Sequence, residues 1–543
     1  MLLIPGLIRI ARRFGWYDQP GDARKVHVVA IPRLGGIAII ISTVIPLAIW
    51  LKPIPRETMS ILLGSGVLLV FGVWDDLKNL NYKWKLLGQI LAILVVIGYG
   101  GIIISRIPLF GEETIPLWFA YPLTMVCLLG ITNAVNLVDG LDGLAGGLAL
   151  LSFVIIAALA FMGGDQGLVL VTVAAMGGVL GFLRFNTHPA QIFMGDAGSQ
   201  FLGFMVGTLT VVLAEFKNTA LSSAILLFIF GVPIIDTLAV VAQRIHEGRS
   251  PFSPDRNHIH HKLLALGMRH YQAVVAIYIA QAVFVIMAYF LRYQTDLLIV
   301  ITYLGICTIT LAFFWAAGRF GWKLRQPGRR FLANSSWVDR GIQFVHASPW
   351  VLGVPAWFVK LALMVLVVAA LVHIQTIPIY FTVGAAVLLS LMLLNHALAI
   401  FRGRQIERLC WYFLGLLAVY WLQTLDPDHR FVDYANILFI SMAVVTVLGV
   451  SFISRDRFTI SPMDFLVVFI AIAIPMVSRV SGDLYTYGPY NLGDFAVKML
   501  IIFYGIELVC ASFADKYSLS KLLTILSLTT LLVLSTLKPL GLV

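Results

Sequence analysis

Cysteine is nearly absent. Cys127, Cys307, Cys410 and Cys510 are scattered through apolar stretches with no paired spacing. That excludes a disulfide framework or a cysteine zinc knot and leaves four packed thiols. Charge is scarce too: Asp, Glu, Lys and Arg together make up 12% of 543 residues. An ordinary soluble domain carries about twice that share, so this chain cannot present a solvated surface on all sides. Sustained alternation of apolar and polar residues is also missing, which excludes a transmembrane barrel. No cleavable signal peptide is expected before the first full apolar run.

What is present is oil. Sixty per cent of the residues are hydrophobic and the mean hydropathy is +0.93. Apolar runs of about 17–25 residues, each long enough to cross a hydrocarbon core, recur along the whole length. Backbone in lipid must satisfy its own hydrogen bonds, so these runs are helices. The expected fold is therefore all-α, a polytopic membrane helix bundle of about 17–18 spans. Windows lie at 34–52, 58–74, 86–105, 118–135, 143–162, 167–183, 200–214, 221–242, 271–291 and 296–316. Seven more follow at 349–372, 376–400, 409–424, 432–452, 463–478, 495–513 and 519–537.

The loops set the orientation. Those at 11–33, 75–85, 133–142, 184–199, 243–270 and 317–343 hold most of the Lys and Arg of this half, while the intervening loops hold only Lys52, Arg56, Arg106, Lys217 and Arg292. The basic side is expected to face the cytoplasm. The formal charge of +11 thus reflects topology, and nucleic acid is not an expected partner.

Chemistry-bearing residues cluster on that side. "GVWDDLKNL" places Asp75 and Asp76 where a span ends. "TNAVNLVDGLDGLAGG" repeats Asn133, Asn136, Asp139 and Asp142 at intervals of three, which puts neighbouring members on one helix face. Amides and carboxylates grouped near a membrane need partners, and the glycines among them allow a close approach. "RFNTHPAQIFMGDAGSQFLGF" adds Asn186, His188, Phe193 and Asp196, and Asp236 lies inside a span. "GRSPFSPDRNHIHHKLL" supplies Arg256, His258, His260 and His261. Zinc fits this last run poorly, because neither cysteine nor a metalloprotease motif accompanies it. Carboxylates suit a hard cation such as Mg²⁺ held with waters and phosphate oxygens. His and Arg would then donate to anionic oxygens, although a merely solvated histidine loop is the simpler alternative. Acids, bases and Mg²⁺ at a membrane face suit diphosphate chemistry between one soluble and one lipid substrate.

In order along the chain, "RKVHVVAIPRLGG", "WDDLKNL", "NAVNLVDGLDGLAGG", "FNTHPAQIFMGDAGS", "PIIDT" and the histidine loop resemble the polyprenyl-phosphate N-acetylhexosamine-1-phosphate transferase family over residues about 11–320. The loop is similar to the branch that uses UDP-GlcNAc. The resemblance implies transfer of GlcNAc-1-phosphate from UDP-GlcNAc to undecaprenyl (polyprenyl) phosphate, with release of UMP, at the start of cell-envelope glycan synthesis. It implies Asp196 and Asp139 as ligands of Mg²⁺, with Mn²⁺ as a substitute. Asp75 and Asp76 would hold or activate the lipid phosphate, and Asp139 and Asp142 would organise the diphosphate and nucleotide. His258, His260 and His261 would contact phosphate. Lys25, His27, Lys85, Asn133, Asn136, Asn186, Phe193 and Arg256 would contact substrates, with Asn186 and Phe193 against the uridine. The place implied is the bacterial inner membrane, with the active site on its cytoplasmic face. The family starts with a full first span, whereas about ten apolar residues precede Arg12 here.

Another UDP-N-acetylhexosamine would need the same chemistry. A lipid-linked glycan transporter or flippase would instead place charge near the bilayer midplane in two related halves. The chain divides into a transferase domain at 1–318, a basic connector at 319–345 and a multi-span domain at 346–543, for which no motif is evident. His396 and "SGDLYTYGPYNLGD" are the unusual features of that last part, and both read as packing. A homodimer and docking of downstream glycan enzymes on this domain are compatible with the sequence.

Overall fold

A computed structural model describes residues 1–18, 30–109, 114–250, 257–323, 349–374, 376–398, 405–425, 429–452, 461–480, 492–512 and 518–537. They form two compact units, Met1–Gln326 with Ser461–Leu466, and Pro327–Ile460 with Val467–Val543. Among the described residues the structure is helical, and the one extended pairing is an isolated bridge between Asp18 and Ile31.

The first unit runs α1 (Leu3–Phe14), α2 (Gly35–Trp50), α3 (Arg56–Lys78), α4 (Tyr82–Gly98), α5 (Leu117–Val138), α6 (Leu144–Met162), α7 (Gln166–Asn186), α8 (Gly195–Val212), α9 (Leu226–Ile229), α10 (Gly231–His246), α11 (Ile259–Ala265), α12 (His270–Leu291) and α13 (Asp296–Arg319). Helix α8 is the axis. Its apolar window is 100% buried, against 11% for α13, which marks α13 as a peripheral helix. A helix that is apolar all round belongs inside a bundle. Its hydroxyls close on its own turns: Thr208 donates to Phe204 O and Thr210 to Val206 O, each at 2.7 Å. That leaves neither threonine hydroxyl orphaned in the core.

Local sequence sets the boundaries. Pro55 and Pro116 stand just before α3 and α5, where a missing N–H costs nothing. Asn81 and Asp165 cap α4 and α7 by accepting from Lys83 N and Leu168 N. Asn79, at φ 48°, ends α3 in the left-handed region that Asn tolerates.

Nine helices among the described residues are long and apolar enough to cross a membrane, and a bent pair makes a tenth. That count is made on the described residues by length and composition alone, and all seventeen expected windows fall on helices. The window at 221–242 is corrected: it is a broken element, bent by 84° between Ser223–Ile229 and Gly231–His246. Pro233 lies in the first turn after the break and has no N–H to bond backwards.

The second unit contains helices at Pro349–His373, Ile379–Leu398, Gln405–Gln423, Arg430–Phe452, Leu492–Ser512 and Ser518–Leu537, and most of Pro462–Val480. Leu414, Leu417, Ala418 and Val419 fill its interior. Residues 481–491 of the unusual loop and the His396 side chain lie outside the described residues, as does most of the connector at 319–345.

Candidate active site

Six chain ends meet at one end of the first unit: the C-termini of α3, α5 and α7 and the N-termini of α4, α6 and α8. Side-chain bonds join them directly. Asp76, in the last turn of α3, accepts from Asp196 N at 2.8 Å and Ala197 N at 3.2 Å, the first N–H groups of α8. A carboxylate there satisfies orphan donors and meets the positive end of the helix dipole. Gly195 makes the approach feasible. Its φ of 74° suits glycine, and a Cβ there would stand 2.4 Å from Asp76 Oδ2.

Asp75, on the same turn, is buried. It accepts from Leu80 N at 2.7 Å and pairs with Lys85 Nζ at 2.6 Å. Lys85 also reaches Asp196 Oδ2 at 2.9 Å, so one ammonium links α3, α4 and α8. Asn186, at the end of α7, uses its whole amide: Oδ1 accepts from Gly143 N and Nδ2 donates to Ile192 O, both at 2.9 Å. Asn136 accepts from Ser199 Oγ at 2.5 Å. Asn133 lies deeper, in an amide ladder with Gln89, which also donates to Gln200.

These ends surround a cavity of about 1030 Å³, at the upper end of the range for small-molecule sites. Asp76, Asn136, Asp139, Asp142, Asn186, Phe193 and Asp196 of the sequence-predicted set line it. Asp139 follows α5 and is open to the cavity. Desolvation by the protein around it pushes its carboxyl up to about 7, the charges of Asp196 and Asp142 add to this, and Arg33 opposes it. The excess of negative charge and the oxygen donors of Asp139 and Asp196 fit a hard dication.

Asp75, Lys85 and Asn133 are not on the cavity wall, and neither are His258, His260 and His261. His258 is buried, with Nδ1 donating to Asp236 Oδ2 at 2.8 Å, while Ile259 N donates to Asp236 Oδ1 at 2.7 Å. Asp236 of α10 therefore holds the start of α11 with both oxygens. The His258 and His260 rings lie parallel with centroids 5.7 Å apart, and His261 follows His260 at 4.2 Å. His260 packs on Gly140, where a Cβ would come 2.4 Å from its Nε2. Burial, and then neighbouring His261, push His260 down to about 3, so it meets the site as a neutral ring. Lys25, His27 and Arg256 lie outside the described residues.

Sequence reasoning missed Arg12, Tyr17, Asp18, Arg33 and His270, all on the cavity wall. Arg33 lay inside a recognised motif and pairs with Asp18 at 2.5 Å. The others stand in no local pattern.

The sequence model of glycosyl transferase family 4 matches residues 58–214. A probable undecaprenyl-phosphate N-acetylglucosaminyl 1-phosphate transferase of Bacillus subtilis is 39% identical over 54% of this chain and 82% of its own length. A decaprenyl-phosphate N-acetylglucosaminephosphotransferase of Mycolicibacterium smegmatis is 36% identical over 50% of this chain and 75% of its own length. An undecaprenyl-phosphate alpha-N-acetylglucosaminyl 1-phosphate transferase of Escherichia coli K12 is 32% identical over 50% and 76%.

Proposed function

The chain belongs to glycosyl transferase family 4, and from that membership we propose that it transfers N-acetylglucosamine 1-phosphate from UDP-N-acetylglucosamine to undecaprenyl phosphate or a related polyprenyl phosphate, releasing UMP. The observation that carries this reading is the convergence of Asp76, Asp139 and Asp196 on one cavity at the helix ends, with Lys85 behind them. A transporter would place its charges at mid-span; these stand in the last or first turns.

Asp139 and Asp196 would hold Mg²⁺, with Mn²⁺ as a substitute, and the ion would offset diphosphate charge. Asp76 keeps the N-terminus of α8 in place and so fixes where Asp196 stands. Lys85 keeps Asp75 and Asp196 together and lends positive charge. Asn186 holds the glycine turn at Gly143, and with Phe193 forms the wall offered to the uridine. The acceptor phosphate has its second pKa near about 6 and is largely a dianion at neutral pH. It needs little deprotonation to attack, which favours a single displacement. The excess of Lys and Arg in the loops on this side supports a cytoplasmic site in a bacterial inner membrane.

The test is purified full-length protein with polyprenyl phosphate, Mg²⁺ and a panel of UDP-sugars. UMP release with UDP-N-acetylglucosamine is expected. No UMP with any UDP-N-acetylhexosamine would sink the proposal, and release with only a different UDP-N-acetylhexosamine would move the sugar assignment.

A further inference from the structure

The histidines that stand on the cavity wall are not those of the loop. His188 follows α7, His270 opens α12, and Asp142 lies in the turn between α5 and α6. Three separate elements bring them together. His188 Nδ1 lies 2.8 Å from Asp142 Oδ2. Asp142 N donates to His270 Nε2 at 3.3 Å, and the two imidazoles stack with centroids 4.3 Å apart. One ligand atom from each residue falls within 4.8 Å of the other two.

We propose that Asp142, His188 and His270 form a binding site for a first-row transition-metal dication, Zn²⁺ being the probe of choice, built from residues other than those assigned to Mg²⁺. Three features carry it. The first is the donor set: two imidazoles and a carboxylate suit Zn²⁺ and its neighbours, whereas Mg²⁺ prefers all-oxygen sites. The second is reach. Tetrahedral bonds of about 2.0–2.2 Å set donor atoms roughly 3.4 Å apart, between the 2.8 Å of the His188–Asp142 pair and the 4.8 Å within which all three fall, so side-chain rotation can bring them to one ion. The third is incomplete satisfaction. His270 has one long bond from Asp142 N, and its buried Nδ1 has no hydrogen-bond partner. Accepting that N–H requires a lone pair on Nε2, on the side where Asp142 and His188 stand. An ion bound at Nε2 would displace this 3.3 Å bond and take the same lone pair.

The site is also reachable. All three residues line the cavity, and the His188 side chain is 47% exposed. Protein supplies three ligands, so the fourth position stays open to water or to an oxygen of whatever fills the cavity, as at zinc sites that exchange ligands.

The experiment titrates purified full-length protein with Zn²⁺ in excess Mg²⁺, following stoichiometry by elemental analysis and geometry by Co²⁺ absorption. Thermal unfolding is recorded alongside, to confirm that each variant is folded. Wild type is expected to bind one equivalent. His188→Gln and His270→Gln should each weaken binding about tenfold or more, and the double variant should abolish it. Asp196→Asn and His261→Asn should retain it, which keeps this result separate from the fate of the Mg²⁺ assignment. Equal Zn²⁺ binding by wild type and the folded double variant would overturn the proposal, and so would loss of binding in His261→Asn alone.

Discussion

At the scale of single residues, scarcity made the site readable. In a chain with 12% charge, each carboxylate at a span end is conspicuous, and Asp76, Asp139, Asp142 and Asp196 do meet at one cavity. Sequence could not say which oxygens are already engaged. Asp75 is spent on Lys85 and Leu80 N, whereas Asp139 faces the cavity. His270 and Arg12 escaped notice because their role comes from tertiary placement, with no spacing to announce it. Two outcomes follow. Asp196→Asn keeps the shape but removes the charge that faces Lys85 and the cation. Turnover should fall by about a hundred- to thousandfold, the cost of deleting a preorganised electrostatic group, and Mg²⁺ affinity should weaken; a loss of about tenfold or less with unchanged metal affinity would reject Asp196 as a ligand. Asp139 titrates near about 7 without a cation. A carboxyl raised in the folded state contributes stability that is complete below its ordinary value and is lost as pH rises through about 7. Mg²⁺ needs the anion, so its binding should strengthen over the same interval. Thermal shifts on adding Mg²⁺ should therefore be larger at about pH 8 than at about pH 5.5. Asp139→Asn should remove the difference, and a pH-independent shift in wild type would refute the assignment.

At the scale of elements, the spans were legible because lipid leaves the backbone no choice but helix. The break between α9 and α10 was not. An apolar window is blind to direction, and only Gly231 and Pro233 hinted at the 84° turn. That turn matters because α10 carries Asp236, which grips α11 at His258 and Ile259. An acid inside a span was legible as a functional candidate; its partner, twenty-two residues away, was not. Asp236 acts as a positioning residue for the histidine loop. Asn at this place can still accept from Ile259 N, but its amide would face His258 Nδ1 with a donor and force the other tautomer. Asp236→Asn should lower kcat by about tenfold or more while leaving KM for the UDP-sugar and the unfolding midpoint little changed, the pattern of a wrong tautomer in an intact frame. Asp236→Ala, which leaves buried donors unpaired, should cost about 1–3 kcal/mol of stability. Wild-type kcat and pH profile in Asp236→Asn would show that the grip on His258 is dispensable.

At the scale of the molecule, the chain holds two units, and the family model matches within the first. Their matches cover about half of this chain and three quarters or more of their own length. Every assigned site residue precedes Arg319, and the second unit turns its polar groups on each other: Tyr412 donates to Glu507 at 2.8 Å, and Asp494 accepts from Gln423 and Lys498 at 2.6 Å. The function of this unit was illegible because its polar residues form no pattern tied to a reaction. Internal pairing of this kind suits a module that packs or recruits. We therefore expect catalysis to survive removal of residues after about 346, just past the connector, whose Gly, Pro, Asn and Ser mark a boundary. The cut also removes Ser461–Leu466, which group with the first unit, so a modest loss of stability should accompany it. The truncated protein would be assayed in detergent and in liposomes. UMP release near the full-length rate would place the chemistry in the first unit. If such a protein then fails to support glycan synthesis in cells, the second unit serves a downstream partner. A folded, UDP-sugar-binding truncation with no turnover would mean that the second unit completes the lipid site, and the division drawn at the connector would fall.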